Sequence, residues 1–553
     1  MTLNDKKYDI ARILKIILPV LILLLGVETL LYYIIGPAQG YMTSDTTDSL
    51  RWSYATYESG KLISDNFYYA AILPFGGNLI FLPYIALFGY SITAQICGLV
   101  TFVILLTAAL WYMARGLGLD YIKSASLTTI FLLIMSSSAK LREIMWEHIF
   151  YYNLGLLFFC LGFGLAARII REGGIVRGGK AAWRDYVNIA ILLVFSFLAA
   201  TDGLQTLVCF TLPLLGGLFI ERFLDVSEKL TSKGNMAMLA LLGGLAIASA
   251  AGFLAIEPIS GGVSAGYADA YSTWSGMSSW TGNLLGFMNN WFSLLGVSVE
   301  AGEPLVSLKS IYNFIGIAGG LLLLILPVVL LFRYNKITSS KIKMLLIGHF
   351  AVSAFIIFAV TFGKLGGANW RLVPMLGTSV ILSFITGIEL IGGKGVAIRL
   401  GALVVAFMIL LSVIPALIIW RMPADYGREN SWHTAADVLE EKGLKYGYAN
   451  FWWAELVTML SDGKVEVANI YEGQSKPIPY KYQVSHNAFD DKDTDRYFLM
   501  LTEAENANMQ AWLNIQKLRG LVIEEFTIVS EEYNLRGHVG TTLYVYVFSE
   551  NIV

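Results

Sequence analysis

Charge is what this sequence has least of. Of its 553 residues only 14% are Asp, Glu, Lys or Arg, against about 25% in soluble proteins, so most of the chain cannot be covering a water-exposed surface. Cysteine is scarce as well. Cys97, Cys160 and Cys209 all fall in apolar runs, which excludes a disulfide framework and a CxxC metal site. The five histidines are scattered, and no HExxH pair, EF-hand loop or GxSxG elbow occurs. Positive charge is not in excess: 39 Lys and Arg stand against 41 Asp and Glu, which excludes the basic face that a nucleic acid requires. Neither a fixed-period repeat nor a low-complexity tract is present. The string Gly174–Lys180 satisfies GxxxxGK, but Ala181 follows where Ser or Thr would hold Mg²⁺ and no strand precedes it. It reads as a basic loop.

What the chain has is apolar residues, at 56%. A bilayer core of about 30 Å takes about 20 apolar residues per helix. Eleven segments qualify or nearly qualify: 14–36, 92–114, 122–138, 149–170, 186–201, 204–222, 234–256, 311–333, 343–363, 372–392 and 399–420. The expected fold class is therefore a polytopic α-helical membrane protein of about 11 transmembrane helices. The first segment follows Lys6, Lys7, Arg12 and Lys15, lacks a small-residue cleavage site and is too long for a signal-peptide core, so it reads as a retained span. With the N-terminus in the cytoplasm, the cytoplasmic segments hold 20 Lys and Arg and the outer loops up to residue 422 hold eight. The basic-inside bias thus expects a cell-membrane protein with its C-terminal part extracytoplasmic.

Two domains are expected. Residues 1–422 form the membrane body, with long outer loops at 37–91 and 257–310. Residues 423–553 differ in composition, with 11 Lys and Arg against 20 Asp and Glu. Their patterning expects helices at 435–444 and 452–460 and strands at 446–449, 465–470, 497–501 and 542–548, a soluble extracytoplasmic α/β domain.

The first outer loop carries the densest chemistry. In YMTSDTTDSLRW, Asp45 and Asp48 stand three apart, so a helical segment presents both carboxylates on one face. Ser44 would cap that helix, with Asp45 in its first turn. Such a pair at the membrane boundary suits a general base, and it equally suits acids stabilised at a helix N-terminus. Residues 78–89 form an apolar run too short to span, expected along the membrane surface.

The arrangement SDTTDSLRW…YESGK…FYY…LPFGGN…LFG, over Ser44–Gly89, resembles the opening loop of bacterial GT-C glycosyltransferases, membrane enzymes that take a sugar from a polyprenyl-phosphate carrier. The resemblance implies a GT-C-like membrane body and an inverting transfer to a saccharide or cell-envelope acceptor, with an outer-loop Asp as base. The family's acidic pair is often Asp-Glu, whereas Thr46 follows Asp45 here, so Asp45 and Asp48 both stay open; the distance to Gly60 favours Asp45. The resemblance also implies a cation at the donor phosphate. Arg371 and Lys364, in FGKLGGANWRLVP beside Trp370, are candidates, with Arg142 a third; the other reading of Arg371 is a side chain reaching to the headgroups from a helix end. Glu147 and His148 are candidates for positioning substrate. In the second long loop Tyr267, Tyr271, Trp274, Trp280 and Trp291 suit sugar rings as well as an interfacial belt. Glu28, inside the first span, is a secondary candidate for the substrate cavity, and Asp202, in the turn ATDG, reads as a turn residue. No cofactor is required; a divalent metal shared by Asp45 and Glu147 is compatible with the residue types but not demanded by their spacing.

Other function classes fit less well. A lipid or polysaccharide transporter or flippase usually carries mid-membrane charges and related halves, and apart from residues at the span ends only Glu28 and Glu389 lie within spans. A non-catalytic assembly subunit with an outer binding domain does not call for the long acidic first loop.

Overall fold

The computed structural model describes residues 3–180, 182–224, 229–260, 273–424, 431–529 and 542–553, without the side chains of 3–14, 259, 260 and 431. Among these residues ten helices are long and apolar enough to cross a membrane: Lys15–Ile35, Ile92–Gly116, Tyr151–Ile169, Trp183–Ala200, Leu204–Phe223, Lys233–Pro258, Leu308–Phe332, Ser340–Phe362, Asn369–Ile391 and Val396–Trp420. Each begins and ends close to an expected segment, because a 20-residue apolar run leaves the backbone no partner but itself. The chain is a multi-pass membrane protein. Tyr151–Ile169 and Asn369–Ile391 are the most enclosed of the ten. Gly162 on the first of these admits the Phe210 ring so closely that a Cβ there would lie 1.9 Å from it, which is how small residues let membrane helices pack.

The segment expected as a single span over 122–138 differs. Its helix runs only Tyr121–Ile134, and the chain then bends by 115° into Ala139–Glu147. Three consecutive serines mark the break. Ser138 Oγ accepts from the Leu141 amide at 3.0 Å, capping the new helix before the old one can continue. Fourteen residues reach only about 21 Å, so the bent pair counts as one further span at most.

The first loop is ordered by its own elements. Thr43 starts a 3-10 turn, Ser44–Thr47, with Thr46 Oγ1 accepting from the Thr43 amide at 3.1 Å; the helix Asp48–Ser59 follows. The expected Ser44 cap is not formed: Ser44 Oγ instead accepts from the Leu456 amide, 412 residues away. Gly60, at φ 65°, closes the helix with its N–H on Thr56 O, so the Gly60–Lys61 turn is a left-handed C-cap. The run expected along the membrane surface is a helix, Gly77–Phe88.

Seven strands occur among the described residues. β1 (Phe67–Tyr68) lies in the first loop; β2 (Tyr446–Asn450), β3 (Glu466–Ile470), β4 (Val484–Ser485), β5 (Tyr497–Leu501), β6 (Val522–Val529) and β7 (Thr542–Phe548) lie beyond the last span. Five form a sheet of order β3-β2-β5-β7-β6, with β2 parallel to β3 and β5, and β7 antiparallel to β5 and β6. Helices Ser431–Glu441, Phe451–Leu460 and Glu503–Leu518 accompany it. The last helix and β6 were not expected from the sequence. β1 pairs antiparallel with β4, Phe67 opposite Ser485, so the C-terminal part is stitched to the first loop.

Candidate functional site

Where the first loop, the bend at 139–152, the 370 turn and the C-terminal part meet, they enclose a cavity of about 690 Å³. Its wall includes Asp45, Asp48, Lys140, Glu143, His148 and Trp370 from the membrane body, and Trp452, Trp453, Glu472 and Tyr482 from the C-terminal part. The volume falls in the range of small-molecule sites, about 300–1,000 Å³.

Asp45 and Asp48 reach this cavity together because the 3-10 turn and the following helix keep positions three apart on one side. Asp45 is half-buried and Asp48 buried. Burial, then the charge of Asp45, hold the Asp48 carboxyl well above the usual Asp range, while the Gln483 amide pulls it back somewhat. Gln483 comes from the C-terminal part at φ 55°, its Oε1 accepting from Trp52 Nε1 (2.5 Å) and from the Ala70 amide (3.3 Å). The turn is clamped to the bend by Gln95, whose Nε2 donates to Thr46 O at 2.7 Å and to Glu147 O at 3.1 Å. His148 Nδ1 lies 3.1 Å from Asp45 O. A carbonyl only accepts, so this nitrogen carries the proton.

The cation on the wall is Lys140. Its Nζ pairs with Glu143 Oε2 at 2.9 Å and lies 4.7 Å from the centre of the Trp370 ring. Arg371 is buried next door, not among the lining residues, with Nη1 donating to Lys364 O at 3.3 Å. Lys364 is exposed and also off the wall. Arg142 points the other way: its Nη1 donates to Ser136 O at 3.1 Å, and its guanidinium stands 5.6 Å from the Tyr33 ring. Tyr33 in turn donates to Glu147 Oε1 at 2.5 Å, which puts Glu147 in a buried cluster, off the cavity wall. The described residues contain no group of three His, Cys, Asp or Glu able to hold a metal ion.

The second long loop is placed otherwise than its aromatics suggested. Tyr267 and Tyr271 lie outside the described residues. Trp274 is 66% exposed and packs on Phe358, off the cavity. Trp291 is fully buried, donating to Gly320 O at 3.1 Å. The loop contributes a helix, Trp280–Leu294, that buttresses the turn presenting Trp370: Asn290 Nδ2 donates to Gly366 O, and Asn369 Nδ2 to Ser293 Oγ. Glu28 is exposed on its helix and does not line the cavity.

Sequence reasoning missed three things. Asp202 is more than a turn residue: Oδ1 accepts from the Phe75 amide and Oδ2 from the Gly76 amide, both at 2.8 Å, at the start of the Gly77–Phe88 helix. Burial lifts its carboxyl to about 7, against the pull of the two amides. Arg51 forms a buried ion pair with Glu455, Nε to Oε2 at 3.2 Å, fastening the first loop to the C-terminal part. Burial raises Glu455, and Arg51 draws it back. The C-terminal residues of the cavity wall were not named from the sequence; their signal was the cluster Phe451, Trp452 and Trp453 in an otherwise acidic domain.

No protein-family model matches the chain, and no curated protein matches it significantly in sequence. Solved structures do match. The crystal structure of ArnT from Cupriavidus metallidurans bound to undecaprenyl phosphate superposes at a TM-score of 0.54 with 11% identity, over 96% of this chain and 97% of that one. Its apo form gives 0.51 and 9%, over 91% and 93%. The apo oligosaccharyltransferase of Archaeoglobus fulgidus aligns at 0.49 with 11% identity, over 95% of this chain and 75% of its own. The likeness to ArnT runs through membrane body and C-terminal sheet alike, and the chain has the fold of the GT-C glycosyltransferases.

Proposed function

We propose that the protein is a membrane glycosyltransferase that moves a sugar from a polyprenyl-phosphate donor to an acceptor hydroxyl in the 690 Å³ cavity. The observation that carries this reading is the meeting of Asp45, Asp48, Lys140 and Trp370 on one wall, in a fold shared with a protein crystallised with undecaprenyl phosphate. The basic-inside charge pattern supports an extracytoplasmic position for the cavity.

Asp45 is the base. It is the more exposed of the two acids, while burial and the Asp45 charge raise the Asp48 carboxyl well above the usual Asp range, which suits Asp48 less well to act as a base. The acceptor O–H gives its proton to Asp45 as its oxygen bonds to the anomeric carbon from the face opposite the phosphate. The bond from carbon to phosphate oxygen breaks, the configuration inverts, and polyprenyl phosphate leaves with the bonding pair. Charge developing on that phosphate is met by Lys140, already oriented by Glu143 and Trp370. Lys364 and Arg371 lie on the turn that carries Trp370 and shape this side of the site.

The test is transfer by the purified protein from an undecaprenyl-phosphate-linked radiolabelled sugar, with an envelope extract as acceptor. Label leaves the carrier and appears in acceptor with the wild type, and Asp45→Asn slows it by about 10²–10⁴, the usual share of a general base. Label that crosses a vesicle bilayer still joined to its carrier would replace this reading with transport.

A further inference from the structure

The C-terminal wall of the cavity bears a different chemistry from the membrane wall, and we infer that it binds the acceptor as a neutral saccharide. The inference rests on the glycosyltransfer reading and specifies the acceptor of that same site. Trp452 keeps 41% of its surface exposed at the cavity, a large apolar face left uncovered in a domain with ample polar surface. Its neighbours are held in fixed planes. Trp453 stacks on Trp432 with centroids 4.2 Å apart and planes at 15°. Tyr482 stacks on Tyr480 at 5.2 Å and 9°, and meets Phe451 edge-on at 5.1 Å and 81°. Rings locked by packing lose little rotamer freedom when a ligand arrives.

Among the described residues, the polar groups on this wall carry no positive charge, and Glu472 adds a hydrogen-bond acceptor. Glu472 is exposed beside the turn at Gly473. Asn450 is committed to the wall itself, its Oδ1 accepting from the Trp452 amide at 2.8 Å and its Nδ2 donating to Glu505 at 2.8 Å. Among the described lining residues the Lys is Lys140, on the membrane side, and no Arg is present. Residues 423–553 carry 20 acids against 11 bases, which repels a phosphate-rich or otherwise anionic acceptor. Flat aromatic faces suit the C–H faces of sugar rings, and a carboxylate at their edge accepts from ring hydroxyls. The two walls thus divide the cavity, lipid phosphate toward Lys140 and acceptor sugar toward Trp452.

The experiment uses the full-length protein in detergent and two neutral disaccharides, maltose and N,N′-diacetylchitobiose, as probes, followed by saturation-transfer NMR and calorimetry. A neutral hexapeptide and undecaprenyl phosphate serve as comparison ligands. At least one disaccharide is expected to bind with Kd on the order of 1 mM. Trp452→Ala should raise that Kd tenfold or more and Glu472→Gln severalfold, while both variants bind undecaprenyl phosphate as the wild type does. Trp452→Phe, which keeps an aromatic face, should recover most of the affinity and shows that loss in the Ala variant is not misfolding. Binding of the peptide but of neither disaccharide, or a Kd unchanged by Trp452→Ala, overturns the inference. Failure of the wild type to bind undecaprenyl phosphate overturns the glycosyltransfer reading, and the acceptor role with it.

Discussion

Two carboxylates three residues apart differ in burial, Asp48 being the more enclosed, and the proposed transfer assigns them different work. Burial and the Asp45 charge raise the Asp48 carboxyl well above the usual Asp range, so Asp48→Asn, which imitates a protonated carboxyl, should keep transfer within about tenfold of wild type, while Asp45→Asn loses about 10²–10⁴. Steady-state rates of the two variants at neutral pH check this; equal losses would make Asp48 as necessary as Asp45. Lys140→Ala should lower kcat, since its charge opposes one that grows as the phosphate leaves, and a change confined to KM would deny that role. The acid pair was readable because a three-residue spacing keeps its meaning in any tight helical turn. Which cation faces it was not. Lys140 and Arg142 sit two apart on a one-turn helix, Ala139–Arg142, where two positions are more than half a turn of rotation. Only the 115° bend decides that Lys140 meets the cavity and Arg142 meets Tyr33.

Elements carry the site by unexpected supports. The Gly77–Phe88 helix begins on the two oxygens of Asp202, so Asp202→Ala should cost about 0.5–2 kcal/mol, the range of a lost N-terminal cap. Asp202 also sets a pH dependence. Its carboxyl, raised to about 7 in the fold, ordinarily titrates near 4 in an unfolded chain. The folded state therefore holds this proton more tightly, and the stability that follows is present at low pH and is lost as pH rises from about 4 through about 7. Thermal midpoints in detergent should show that component of the decline in the wild type and lack it in Asp202→Asn; identical pH profiles would contradict the assignment. The spans were legible because hydropathy alone demands them, and strands β2, β5 and β7 because short β-rich runs stood between turn residues. The helix Glu503–Leu518 was not, since its mean polarity is that of a solvated segment, nor was β6, whose glutamates break an apolar run.

At the scale of the molecule, the C-terminal part forms one side of the cavity and is fastened to the first loop by the β1–β4 pairing, the Trp52–Gln483 hydrogen bond and the buried Arg51–Glu455 pair. Removing one buried partner strands the other charge, so Glu455→Ala should cost about 3–5 kcal/mol, whereas the double change Arg51→Met with Glu455→Leu should restore most of it. Chemical denaturation of the single and double variants measures this, and a double variant no more stable than Glu455→Ala would show that the pair itself holds the interface. None of this docking was legible in the sequence, because partners some 400 residues apart leave no local pattern. The central claim is that the wall shared by Asp45, Lys140 and Trp370 is the place of a lipid phosphate. Cryo-electron microscopy of the full-length protein with undecaprenyl phosphate tests it most directly. The account predicts phosphate density within hydrogen-bonding distance of Lys140 Nζ, in the cavity that Asp45 enters; density in a different cavity, or at the other end of the helical bundle, would contradict it.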